Sequence, residues 1–180
     1  MIELRATSLS DTHAIAAAIV ALVRPGDVVV LAGEMGAGKT AFAQGFGAAM
    51  GVTDPMTSPT YNLVHSHPAG KITLHHADLY RLSTQHEVAD LAFAELAESD
   101  GILLVEWGDV VAGSLGEHLL VRLEREENDD DGADDEGAAD DGAVDDGAVD
   151  EVRTIAVSAV GRSWAVRWDR LVRGLSGFTC

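Results

Sequence analysis

Val28-Val29-Val30-Leu31-Ala32 runs directly into Gly33-Glu34-Met35-Gly36-Ala37-Gly38-Lys39-Thr40. No other feature constrains the fold of this chain as strongly. The first five residues are continuously apolar and mostly β-branched, which is the pattern of a strand buried on both faces of a parallel sheet. The next eight satisfy G-x-x-x-x-G-K-[ST], a phosphate-binding loop that requires a strand before it and a helix after it. Glycines let the backbone curl until successive N–H groups face one point. The following helix, expected to run to about Met50 with Gly51 past its end, turns its positive dipole end to the same point. Gly33 through Thr40 are therefore expected to cradle a nucleoside triphosphate. Lys39 would bridge the terminal phosphates, and the Thr40 hydroxyl would ligate Mg²⁺.

The rest of the chain reads as further α/β elements. Ile2 to Ala6 has the pattern of an edge strand. Ser10 or Asp11 is positioned to cap a helix running to about Val23. Strands are expected at Tyr61 to His67 and Ile72 to His76, joined by a turn at Pro68-Ala69-Gly70. A helix is expected from about Gln85 to Glu98, and a strand at Ile102 to Glu106. Two more strands fall at His118 to Glu124 and Val152 to Val160. A last helix over Ser163 to Leu175 has Trp164, Trp168, Leu171 and Val172 spaced for one apolar face.

Charge separates one stretch from this pattern. Of the 30 acidic residues, half lie between Glu124 and Glu151, where Arg125 is the sole base. Outside that stretch 15 acids face 11 bases, so the remainder is nearly balanced. Residues 126–150 repeat Asp-Asp-Gly-Ala-Val, lack aromatics, and have too little apolar surface to offset their ordering entropy. The expected organisation is one domain, residues 1–125 and 151–180, interrupted by an acidic low-complexity insertion at 126–150. The insertion is read as a disordered spacer or a docking tail. Such an acidic run repels phosphates, which argues against a DNA-binding surface there. Cys180 is the only cysteine, so no internal disulfide forms. There is no signal-peptide pattern and no run of about 18 uncharged apolar residues. A cytoplasmic chain without a membrane span is expected.

Several polar residues sit where strand ends would bring them to the loop. Glu106 closes an all-apolar strand, the place where ligands gather in such sheets. It is either a Mg²⁺-associated carboxylate or a solvated strand end. Trp107 follows it and either packs or lines the nucleotide pocket. Asp78 follows the Ile72 to His76 strand and could orient an attacking water or hold metal through water. Ser58 and Thr60 lie where nucleotide switches place a hydroxyl that senses the γ-phosphate, although Ser-Pro-Thr is also ordinary turn chemistry. His75, His76 and His86 lack the spacing of a zinc site. For the base pocket, the region Ser10 to Thr12 and the helix near Arg162 are both candidates.

Taken together, the phosphate loop, Ser58-Pro59-Thr60-Tyr61, His76-Ala77-Asp78-Leu79-Tyr80-Arg81 and Val105-Glu106-Trp107 resemble the bacterial TsaE (YjeE) family. That family is the ATPase of tRNA N6-threonylcarbamoyladenosine synthesis. The likeness covers about Thr12 to Trp107 closely and the C-terminal strands loosely, and the acidic insertion departs from it. It implies a P-loop NTPase-like three-layer sandwich with a central mixed, mostly parallel sheet. It also implies ATP and Mg²⁺ as ligands, Glu106 beside the metal, Asp78 needed for hydrolysis, Ser58 and Thr60 as switch hydroxyls, and Trp107 beside the active site. The implied partners are TsaD and TsaB, and through their complex tRNAs reading ANN codons, modified at adenosine 37.

Two alternatives fit less well. A small-molecule kinase needs an arginine-bearing lid, yet Lys71 and Arg81 are the only Lys or Arg between the loop and Glu106. A guanine-specific switch needs Asn-Lys-x-Asp, yet neither Asn62 nor Asn128 precedes a lysine.

Overall fold

The computed structural model describes residues 1–59, 63–80, 96, 101–108, 115–126 and 152–180. Seven strands form one sheet: β1 (Ile2–Ala6), β2 (Val28–Ala32), β3 (Val64–Ala69), β4 (Ile72–Asp78), β5 (Gly101–Glu106), β6 (His118–Arg125) and β7 (Arg153–Val160). The described helices are α1 (Leu9–Val20), α2 (Lys39–Met50), α3 (Arg162–Ala165) and α4 (Trp168–Gly174), followed by a 3₁₀ turn at Ser176–Phe178. The expected helix at 85–98 falls almost wholly outside the described residues. So do Thr60 and all of the acidic insertion except Glu126.

The sheet runs β1-β7-β6-β2-β5-β4-β3. Its four central strands, β6, β2, β5 and β4, pair in parallel. The outer pairings, β1 with β7, β7 with β6 and β3 with β4, are antiparallel. The sheet is therefore mixed, with its parallel block at the centre. β2 lies inside that block and is buried along its whole length. Its alternate side chains serve two cores. Val29 and Leu31 join Ile15, Ile19, Phe42, Phe46 and Trp164 on the face covered by α1, α2 and the C-terminal helices. Val28 and Val30 join Ala77, Leu79, Leu103 and Val105 on the opposite face, with Leu96 packed against them. An apolar run without alternation suits a strand covered on both sides.

Local chemistry moved several boundaries. Ser8, not Ser10 or Asp11, caps α1. Ser8 is extended, its hydroxyl accepts from the Asp11 N–H at 3.1 Å, and the Asp11 carboxylate accepts from the Thr7 N–H at 2.9 Å. This reciprocal pairing satisfies donors that a helix start leaves open. β3 runs on through Pro68 and Ala69, and the hairpin turns at Gly70 (φ +71°). Pro68 is tolerated because β3 is a sheet edge. The single C-terminal helix expected over Ser163 to Leu175 is two helices, α3 and α4. The chain breaks at Val166–Arg167, where Arg167 turns inward. Its guanidinium grips both oxygens of Asp27 at 2.6 and 2.8 Å, donates to the Leu22 carbonyl at 2.8 Å, and stacks on Trp164. Both charges are buried, and their bidentate pairing offsets the cost of removing them from water. The pair ties the C-terminus to the turn that launches β2.

β6 and β7 flank the acidic segment and stay paired up to its ends. Arg125 faces Arg153, and the Glu126 N–H donates to the Val152 carbonyl at 3.0 Å. Replacing residues 127–151 with a four-residue turn is expected to keep a single cooperative melt. It should raise stability by about 1–2 kcal/mol through cheaper loop closure. Loss of folding would show that the segment belongs to the folded unit.

The β3–β4 hairpin is expected to carry a pH response. Burial lowers the pKa of His67, with the neighbouring His76 and His65 adding to the shift and Asp54 opposing it. Burial also lowers His75. A base whose folded pKa lies below its unfolded value of about 6.5 favours folding above that value, and the benefit is lost as pH falls through it. Melting temperature should therefore decline from about pH 7.5 to 5.5, with a shallower slope in His67→Gln. Identical slopes in the two proteins would remove His67 from the response.

Candidate active site

Gly33 leaves β2 with φ +135° and lies flat against the next strand. A Cβ there would sit 2.2 Å from the Leu123 carbonyl oxygen, so a side chain would displace backbone. Gly38 starts α2 in the left-handed region (φ +99°) and, as a glycine, has no side chain with which to cap the helix. The first turn of α2 therefore presents its N–H groups to whatever lies in front of the loop. A cleft of about 370 Å³ opens there. Met35, Gly36, Gly38, Lys39, Thr40, Ser58, Asp78, Glu106 and Trp107 all reach it. Gly33 and Glu34 contribute carbonyls behind Lys39, and Ala37 is buried in the core beneath the loop. Of the base-pocket candidates, neither Ser10 to Thr12 nor Arg162 lines the cleft.

The register of the parallel strands sets the polar groups. Glu106 is in register with Leu31 of β2 on one side and Asp78 of β4 on the other. Both carboxylates thus arrive at the carboxyl edge of the sheet, level with the start of the loop. Glu106 is almost fully buried, and both its oxygens are occupied. Oε2 accepts from the Thr40 hydroxyl at 3.2 Å, and Oε1 from His76 Nε2 at 2.9 Å. Asp78 is also buried. It accepts a short bond from the Ser58 hydroxyl and one from the Tyr80 N–H at 2.9 Å.

Lys39 is held back in the loop. Its ammonium donates to the Gly33 and Glu34 carbonyls at 2.8 and 2.7 Å and lies 3.7 Å from the centre of the Trp107 ring. Trp107 gets there by an unusual backbone. Its φ is +60°, uncommon for a residue with a side chain, and its N–H donates to the Leu31 carbonyl at 2.9 Å. Its ring meets Tyr80 at 5.0 Å between centroids. Sequence reasoning placed Trp107 near the site but did not foresee this cover over Lys39. It also missed Tyr80 and His76 as site residues. Both stand in the His76 to Arg81 motif, so their proximity to Asp78 was the available signal.

The arrangement suits a polyanion and a hard divalent cation. Uncapped N–H groups and one ammonium face the cleft. The Thr40 hydroxyl and Glu106 carboxylate supply adjacent oxygens of the kind that bind Mg²⁺. Among the described residues no helix is long and apolar enough to cross a membrane.

Comparison with known proteins points one way. Residues 6–133 match the family model described as threonylcarbamoyl adenosine biosynthesis protein TsaE. A Bacillus subtilis relative named tRNA threonylcarbamoyladenosine biosynthesis protein TsaE is 35% identical over 127 residues, covering 71% of this chain and 79% of its own length. The protein of the same name from Mycobacterium tuberculosis H37Rv is 44% identical over 116 residues, 58% of this chain and 68% of the relative. Among solved structures, Bacillus subtilis YdiB superposes with a TM-score of 0.69 at 27% identity, covering 96% of this chain and 97% of that one.

Proposed function

Since this chain belongs to the TsaE family of threonylcarbamoyl adenosine biosynthesis proteins, we propose that it binds ATP with Mg²⁺ and hydrolyses it in tRNA modification. It would act on a TsaB–TsaD complex during formation of the threonylcarbamoyl group on adenosine 37 of tRNAs reading ANN codons. The observation that carries this reading is the hydrogen bond between Thr40 and Glu106 at the uncapped start of α2. It couples the loop's metal-side hydroxyl to a carboxylate delivered by a neighbouring strand, as phosphoryl-transfer sites require.

Each residue then has a task. The N–H groups of the loop and of the first turn of α2 bind the phosphates. Lys39 exchanges its two carbonyl acceptors for the terminal phosphate oxygens. Thr40 and Glu106 would hold Mg²⁺, whose positive charge would offset the negative charge that builds during transfer. Asp78, aimed by Ser58 and the Tyr80 N–H, orients the attacking water. Trp107 and Tyr80 cover the loop and exclude bulk water from it.

The test is phosphate release from ATP and from GTP, measured with and without TsaB, TsaD and tRNA. ATP hydrolysis that rises with the partners is expected. Transfer of the phosphoryl group to a metabolite, indifferent to those partners, would favour a small-molecule kinase and overturn the proposal.

A further inference from the structure

We infer that His76 is a positioning residue that aims the Glu106 carboxylate at the metal side of the phosphate loop, an inference that rests on the function proposed above. His76 lies on β4, two residues before Asp78, and faces Leu104, two residues before Glu106. Its side chain is fully buried, and so nearly is that of Glu106. A carboxylate only accepts hydrogen bonds, so the proton of the 2.9 Å contact sits on His76 Nε2.

Two observations make the imidazole more than filler. First, Nδ1 is buried and has no hydrogen-bond partner among the described residues. His13 and His67 each leave a buried ring nitrogen unpartnered among those residues as well, so it is the partner of the other nitrogen that sets His76 apart. This one spends its single polar tie on Glu106. Second, among the described residues Glu106 has two side-chain partners, Thr40 on Oε2 and His76 on Oε1. Without His76 the carboxylate is anchored only through Thr40, the residue it must itself support. The carboxylate would then rotate about its last torsion, and Oε2 would leave its place beside the hydroxyl. Groups that orient metal-side ligands in this way typically govern affinity by a factor of about 10 to 100.

The experiment uses the full chain and a non-hydrolysable ATP analogue, so it reads binding and not turnover. Affinity is measured by calorimetry first in EDTA and then across a Mg²⁺ titration. Three variants are compared with wild type: His76→Leu, which has no donor; His76→Asn, whose donor falls short; and His76→Gln, whose amide reaches the position of Nε2. Metal-free affinity should be unchanged in all of them. The Mg²⁺ concentration for half-maximal effect should rise about 10- to 100-fold in Leu and Asn, and return toward wild type in Gln. If the leucine variant fails to fold, the Asn–Gln comparison decides. Unchanged Mg²⁺ dependence in Asn, or a Gln variant no better than Asn, overturns the inference. So does an equal loss of metal-free binding in every variant, since that marks a structural role only. Failure of wild type itself to respond to Mg²⁺ would instead defeat the proposed function, and this inference with it.

Discussion

Lys39→Ala should lower the affinity for ATP on the order of 10²–10⁴-fold, since each hydrogen bond to a charged group is worth about 1.5–3 kcal/mol and Lys39 would make two to phosphate. The lysine is nearly buried at the first position of α2, and its ammonium is already desolvated between two carbonyls and an indole. Much of the cost of taking that charge out of water is therefore met in the free protein, which favours exchange onto phosphate. Lys39→Arg should not restore binding. A planar guanidinium does not fit the point between two loop carbonyls that a compact ammonium fills. Equilibrium binding of ATP to the purified variants is the check. A dissociation constant within threefold of wild type for Lys39→Ala would remove the loop from nucleotide binding.

Glu106→Ala should act on a different quantity. The phosphate cradle is made by the loop and α2, so nucleotide affinity at saturating Mg²⁺ should stay within a few-fold of wild type. Turnover should fall about 10²–10³-fold, the usual loss when preorganised electrostatic stabilisation is removed, here that of the metal ion Glu106 would help to hold. Loss in kcat without loss in binding is the signature of an interaction made chiefly in the transition state. The substitution also strips His76 Nε2 of its partner inside the protein, at a cost of about 1–3 kcal/mol. Melts must therefore accompany the rates. Glu106→Gln keeps an acceptor and the shape, so it should be more stable than the alanine variant while still slow. Equal partner-stimulated ATPase rates in wild type and Glu106→Ala, both folded, would take Glu106 out of the mechanism.

How much of this was legible beforehand depended on the range of the interactions. The phosphate loop was visible because its requirements are met by consecutive residues: an unbroken apolar strand, glycines at fixed offsets, a lysine and a hydroxyl. Glu106 was visible for the same reason, since it closes an all-apolar run whose end must lie at the sheet edge. The cap of α1 is expected two or three residues late, because Ser8, Ser10 and Asp11 are all competent acceptors. Only the extended backbone at Ser8 and the return bond from Asp11 to Thr7 decide among them. The C-terminal helix was expected to be continuous because its apolar spacing is continuous. What divides it is Arg167 reaching Asp27, 140 positions away in sequence.

The sequence by itself therefore determined the α/β class, the loop, and which carboxylates stand near it, because strand burial and loop curvature follow from neighbouring residues. Tertiary structure alone decided how those groups meet. Strand register brings Glu106 level with Leu31 and Asp78 and lets His76 reach its Oε1. A left-handed turn lays Trp107 over Lys39. Such contacts join residues far apart in the chain, and their geometry exists only once the sheet has fixed the distance between its strands.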